Sequence, residues 1–167
     1  MTRAVLLNNP ANLPKGHNWM GVVENPDERI YATFESFFYG IRALVQKLRS
    51  FVNLYHCHTI VEFIGRWAPE ATVGGHNAYV EYVAKVFETS TEPPAVPFTY
   101  RFSLGDFEWR NGKTSDALYL LCFALCFIET GYGLGREEFD DVVIHCNIGI
   151  LPEDRKRCDK LGSVASD

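Results

Sequence analysis

Ser115-Asp116-Ala117-Leu118-Tyr119-Leu120-Leu121-Cys122-Phe123-Ala124-Leu125-Cys126-Phe127-Ile128-Glu129-Thr130-Gly131-Tyr132-Gly133 is the stretch on which the fold turns. Its apolar run, Ala117 to Ile128, holds 12 residues without a charge. That falls short of the ~20 residues a helix needs to cross hydrocarbon, so no membrane span is encoded here. A helix apolar on nearly every side belongs in the centre of a core rather than on its surface. Ser115 offers a capping hydroxyl to the first amides, and Gly131 is a natural stop.

The neighbouring segments supply helices to surround it. From Ser36, the residues Phe38, Ile41, Leu44, Val45, Leu48, Phe51, Val52 and Tyr55 recur at spacings of three and four, which predicts an amphipathic helix capped by Ser36. Thr59-Ile60-Val61-Glu62 has the spacing of a capping box and opens a short helix over roughly Ile60 to Trp67, ended by Pro69. Tyr79, Val80, Val83, Val86 and Phe87 mark a third helix after Gly74-Gly75. A final helix runs from about Arg136 to Ile148, with Glu137, Glu138, Asp140 and Asp141 early, where the helix dipole favours negative charge. The first 35 residues are rich in Asn, Pro and Gly and predict loops and short strands, Arg29 to Phe34 among them. Thr89 to Pro97 reads as a connector, and Phe98 to Lys113 can close an irregular hairpin at Asn111-Gly112.

Composition bounds the function. With 167 residues, 47% hydrophobic and 22% charged, the chain suits one compact domain and excludes disorder of its body. A formal charge of -5 argues against phosphate neutralisation as the main source of binding energy, and so against nucleic acid. Met1 to Leu7 lacks the features of a cleavable secretory signal, which points to synthesis in a cytosol. Cys57, Cys122, Cys126, Cys146 and Cys158 form an odd set without CxxC spacing and read as thiols. His56, Cys57 and His58 are adjacent, but no second ligand pair stands at zinc spacing, so no metal is expected. Cys146 beside His145 carries no supporting nucleophile motif.

Glu129 is the most informative polar residue. A carboxyl at the end of an apolar helix is partly desolvated, which favours its protonated form, as a general acid requires. Such a group suits protonation of a glycosidic oxygen, with the glycines beyond it admitting a sugar chain. The plainer reading is that Glu129 caps or pairs at a helix end. Trp19, Tyr31, Tyr39, Trp67, Tyr79 and Tyr132 are aromatics that either stack on sugar faces or fill the core. Tyr132, next to Glu129, is the best placed for the former.

The stretch Ala124 to Gly133 resembles the catalytic-helix motif of lysozyme-like glucosaminidases and lytic transglycosylases, in which an apolar helix leads into Glu-Ser-Gly or Glu-Thr-Gly and an aromatic. Independently, Asn8-Asn9-Pro10-Ala11-Asn12-Leu13, Trp19-Met20-Gly21, Ala32-Thr33-Phe34-Glu35, Tyr39-Gly40-Ile41-Arg42-Ala43-Leu44, Thr59-Ile60, Arg66-Trp67-Ala68-Pro69 and Asn77-Ala78-Tyr79-Val80 resemble a family of small phage virion structural proteins. This second resemblance spans roughly Asn8 to Phe87. Ala11 stands where that family usually has glycine, and Leu7 where it has its first asparagine. In the glucosaminidases the Asn-Asn segment follows the catalytic glutamate, whereas here it precedes Glu129, so the order looks circularly permuted. Nearby termini make such a rearrangement feasible.

Taken together, these readings predict a mainly α, lysozyme-like domain over residues 1–151 with a small irregular β element, residues 89–113 as connector and hairpin, and residues 152–167 as a charged tail. The resemblances imply two functions. One is a virion-associated enzyme that cleaves peptidoglycan glycan strands, with Glu129 as acid and Asn8, Asn9, Tyr132, Trp19 and Tyr39 holding the glycan, without a cofactor. The other is a non-catalytic virion component, a capsid or tail protein bound to other virion proteins, on the same scaffold. Either would be made in the host cytoplasm and carried in the virion. Glu35 and Asp106 are candidates for a second carboxylate.

Overall fold

The computed structural model describes residues 1–74, 76–90 and 95–151. The chain is mainly α, and among the described residues there are six helices: α1 (Arg3–Leu6), α2 (Phe37–Tyr55), α3 (Ile60–Trp67), α4 (Ala78–Thr89), α5 (Asp116–Thr130) and α6 (Arg136–Ile148). Two short antiparallel ribbons accompany them. In one, β1 (Val22–Val23) pairs with β2 (Thr33–Phe34), Val22 opposite Phe34; in the other, β3 (Thr72–Val73) pairs with β4 (His76–Asn77). The predicted tail, 152–167, and residues 91–94 of the connector lie outside the described residues.

α5 is the central helix. Leu118, Leu121, Cys122, Ala124 and Leu125 are wholly buried, and α1 and α4 pack against it. The Ser115 hydroxyl accepts the Leu118 amide at 3.1 Å, and Gly131 ends the helix in a left-handed conformation with φ of 78°. The most extensive helix pair is α2 with α6. Gly40, Ile41, Ala43, Leu44, Val45, Leu48, Phe51 and Val52 make the buried stripe of α2, as spacings of three and four require. Phe139, Val142, Val143, Ile144 and His145 make that of α6. One contiguous cluster of buried side chains runs from Ala11 to Val143. No helix among the described residues is long and apolar enough to cross a membrane.

The caps differ in detail from the sequence reading. Ser36 occupies the N-cap of α2, but its side chain makes no capping hydrogen bond. At α3 the box is half formed: the Thr59 hydroxyl accepts the Glu62 amide at 3.2 Å, while its own proton goes to the Glu62 carboxylate at 3.1 Å rather than the carboxylate reaching a backbone amide.

Two β expectations are corrected, and one helix is added. Of Arg29 to Phe34, only Thr33–Phe34 pairs as a strand, with an isolated bridge from Tyr31 to Pro14. The Glu28 carboxylate takes the Ile30 and Tyr31 amides at 2.9 and 3.0 Å, so those donors are committed to a local turn. The hairpin over Phe98 to Lys113 shrinks to one bridge, Arg110 with Lys113, around Asn111-Gly112. Upstream of it the Asp106 carboxylate accepts the Ser103 amide at 2.9 Å and folds Leu104–Phe107 into a 3-10 turn. The amino-terminal loops also contain α1, a single turn capped by Thr2 and too short to leave an apolar period.

Candidate active site at the end of the central helix

Glu129 lies in the last turn of α5, half-buried. The turn is closed beneath it by Thr130, whose hydroxyl donates to the Cys126 carbonyl at 2.7 Å and accepts the Tyr132 amide at 3.0 Å. Both oxygens of Glu129 are engaged. The Asn12 side-chain amide donates to Oε2 at 2.6 Å, and the Tyr79 hydroxyl donates to Oε1 at 2.9 Å.

These two donors come from rigid supports. Tyr79 stands in the first turn of α4, where the Asn77 side chain accepts the Tyr79 amide at 2.9 Å and donates to the Ala68 carbonyl at 3.1 Å, tying α4 to the end of α3. Burial pushes the Tyr79 hydroxyl far above its ordinary range, and the charge of Glu129 and the hydrogen bond to it add to the shift, against a smaller opposing effect of Trp67. Tyr79 therefore keeps its proton and acts as a donor. Lys47 of α2 lies over the other part of this cluster, its ammonium 5.3 Å from the Trp67 ring centre, with its pKa lowered by burial.

Asn12 is presented by the opening loop, and the neighbouring asparagines hold that loop in shape. Asn9 is fully buried: its side-chain oxygen accepts the Leu13 amide at 2.8 Å, and its nitrogen donates to the Leu13 and Ala32 carbonyls at 2.9 and 2.8 Å. Asn8 donates to the Phe34 carbonyl at 3.1 Å. Asn8 and Asn12 have φ of 52° and 51°, a left-handed conformation that asparagine tolerates better than most residues. Both amides of the Asn8-Asn9 pair are thus committed to backbone, and Asn12 is the loop residue that reaches the carboxylate. The motif contained Asn12, but sequence could not say which of three asparagines would turn toward Glu129. Tyr79, one of the six aromatics the sequence offers for stacking, meets the site with its hydroxyl rather than its face.

The remaining candidates are spread around the molecule. Tyr132 is 65% exposed beyond the helix end. Trp19 is half-buried beside His17, their ring centres 5.6 Å apart, and its indole nitrogen is shielded without a partner among the described residues. Tyr39 packs edge-on against Phe38 and His145, at 5.3 and 6.2 Å, in the seam of α2 and α6. Glu35 is exposed, its backbone amide bonded to the Gly21 carbonyl at 2.8 Å. Asp106 is buried at the opposite end of α5, where it accepts from Tyr100, Ser103 and Ser115. The length of α5 puts it about 20 Å from Glu129 at the ~1.5 Å rise of a helix, too far to share a glycosidic bond with it.

A cavity of about 470 Å³ opens at that same far end, lined in part by Tyr100, Asp106, Arg110, Lys113 and Asp116. Its charges are largely paired, Arg110 with Glu108 and Asp116 with Arg136. Among the described residues, no three His, Cys, Asp or Glu side chains gather as a metal site. His58 faces the Phe102 carbonyl at 2.9 Å while Cys57 is buried, so the His-Cys-His run fans apart. The described cysteines Cys57, Cys122, Cys126 and Cys146 are free thiols, and burial raises the pKa of each. Such thiols are poor nucleophiles.

No known protein-family model matches this chain, and no curated protein matches it significantly.

Proposed function

We propose that this protein is a virion-associated enzyme on a lysozyme-like scaffold that cleaves the glycan strands of peptidoglycan, with Glu129 as its acid. The observation that carries the reading is the convergence of three separate sequence motifs on one carboxylate. Asn12 belongs to the opening Asn-Asn-Pro segment, Tyr79 to Asn77-Ala78-Tyr79-Val80, and Glu129 to the helix-end Glu-Thr-Gly, and the hydrogen bonds Asn12 to Glu129 and Tyr79 to Glu129 join all three. Residues 117 positions apart in the chain meet there.

In the proposed reaction the Glu129 carboxyl gives its proton to the glycosidic oxygen as the bond to the anomeric carbon breaks, and the sugar passes through an oxocarbenium-like state. The resulting carboxylate accepts hydrogen bonds from Asn12 and Tyr79, then takes a proton from the incoming nucleophile. Tyr132, exposed beyond the helix end, would meet the glycan on this reading. The substrate would be peptidoglycan glycan strands, and the protein would be made in the host cytoplasm and packaged with other virion proteins.

A second reading is favoured by a different observation. Both Glu129 oxygens already have partners, as in a structural clasp that fastens the opening loop and α4 to the end of α5. On that reading the chain is a non-catalytic virion component. A zymogram on purified peptidoglycan separates the two, with clearing by the wild type and a loss of about 100-fold or more in Glu129→Gln on the first reading. Equal clearing by both removes Glu129 as the acid, and clearing by neither leaves the structural role.

A further inference from the structure

We propose that the Asn12 side-chain amide turns over with the protonation state of Glu129, donating through Nδ2 to the carboxylate and accepting the acid proton on Oδ1. Asn12 is then a positioning residue for the acid, and its use in catalysis rests on the reading of Glu129 given above. The turnover itself does not require that the protein cleave anything.

The observations are the 2.6 Å contact from Asn12 Nδ2 to Glu129 Oε2 and the state of the other amide atom. Asn12 Oδ1 is shielded from solvent and has no hydrogen-bond partner among the described residues. With Glu129 ionised, the donor nitrogen is the correct neighbour for Oε2. With a proton on Oε2, that nitrogen would set one donor against another at the same distance, which is repulsive.

The proton has no better place on Oε1. That oxygen accepts the Tyr79 hydroxyl at 2.9 Å, which has no other acceptor among the described residues, so the tyrosine proton stays directed at Glu129. Cys126, one turn back on α5, is a neutral buried thiol, and Lys47 lies over the Trp67 ring rather than on the carboxylate. Oε2 therefore takes the proton, and Asn12 is the group that must respond.

An amide responds at small cost. Half a turn about its last bond exchanges nitrogen and oxygen, two atoms of nearly the same size, in a torsion that is broad and roughly two-fold. Reversal brings the lone pairs of Oδ1 to the Glu129 hydroxyl. In the present orientation Oδ1 has no partner among the described residues and Nδ2 bonds only Glu129, so reversal gives up no other hydrogen bond and the Glu129 proton decides between the two. Aspartate offers only acceptors and leucine offers neither function. When Glu129 transfers its proton to a leaving oxygen, the amide swings back and donates to the new carboxylate.

The test is nuclear magnetic resonance on the full chain, following the Asn12 Hδ2 protons and the Glu129 carboxyl carbon across pH. Cross-peaks from Asn12 Hδ2 to Glu129 side-chain protons are expected on the alkaline side and lost on the acid side, with the same midpoint as the Glu129 carbon. In Glu129→Gln, whose amide nitrogen mimics the protonated oxygen, the reversed orientation is expected at every pH. Cross-peaks that persist through the Glu129 titration, or a wild-type orientation in Glu129→Gln, overturn the proposal. In the clearing assay, Asn12→Asp is expected to move the pH profile upward by one unit or more, because a like charge disfavours ionisation of Glu129, while Asn12→Leu lowers clearing without that displacement. Equal losses with unmoved profiles would reduce Asn12 to a structural part. If the wild type clears nothing, the enzymatic reading fails and the resonance titration still decides the turnover.

Discussion

Gly40 and Asn8 meet so closely that a Cβ added to Gly40 would lie 2.1 Å from the Asn8 carbonyl oxygen and 2.7 Å from the Pro10 ring. This contact seats the opening loop on α2, and backbone on the other side cannot yield as a side chain would. Gly40→Ala is expected to destabilise by about 1–3 kcal/mol or more, the usual cost of overpacking. Gly65→Ala, where an added Cβ meets nothing within 4 Å in α3, is expected to be neutral or to stabilise by up to about 1 kcal/mol. Thermal unfolding of the pair checks both signs.

Asn9 satisfies three backbone groups that no solvent reaches. Asn9→Ala strands the Leu13 amide and the Ala32 carbonyl and leaves the Leu13 carbonyl with the Ala32 amide alone, at about 1–3 kcal/mol for a buried unsatisfied group. A substantial loss of denaturation midpoint is expected, with faster amide exchange at Leu13.

Asp106 collects Tyr100 at 2.6 Å, Ser115 at 2.7 Å and the Ser103 amide at 2.9 Å. Tyr100 is pushed up to about 12, first by its burial and then by its hydrogen bond to the Asp106 carboxylate and that group's charge. Asp106→Asn removes the charge and is expected to bring the Tyr100 transition down toward the ordinary tyrosine range. Ultraviolet titration of phenolate absorbance reads this, and an unchanged transition would mean that burial alone sets it.

Arg42 donates from Nε to His145 Nδ1 at 3.0 Å between α2 and α6. Burial first, and the Arg42 charge second, lower the His145 pKa below 6.5. The unfolded chain thus takes up this proton at a higher pH than the folded one. The stability is present above about 6.5 and is lost as pH falls from there to the folded value, at ~1.4 kcal/mol for each unit of depression. His145→Gln is expected to flatten that part of the profile of melting temperature against pH, leaving the steeper loss from carboxylates at lower pH.

The long helices were legible because their apolar residues repeat with the helical period. Ile60–Trp67 begins at the Thr59 cap and ends just before Pro69, and Arg136–Ile148 stops at Gly149 in a left-handed conformation. What escaped was decided by single side chains reaching backbone. Glu28 draws amides away from a strand, Asp106 folds a 3-10 turn where a hairpin was expected, and α1 is one turn that has no period. The site followed the same division. Glu129 stood out through its position after an apolar run, whereas its partners depend on contacts across 117 and 50 positions that no local pattern encodes.

The central position of α5 also bears on how the chain is made. α1 through α4 leave the ribosome before the helix that α1 and α4 rest against, and α2 waits longer still for α6. The nascent chain thus carries uncovered apolar faces through much of translation, a state that attracts chaperones and favours aggregation when synthesis outpaces them.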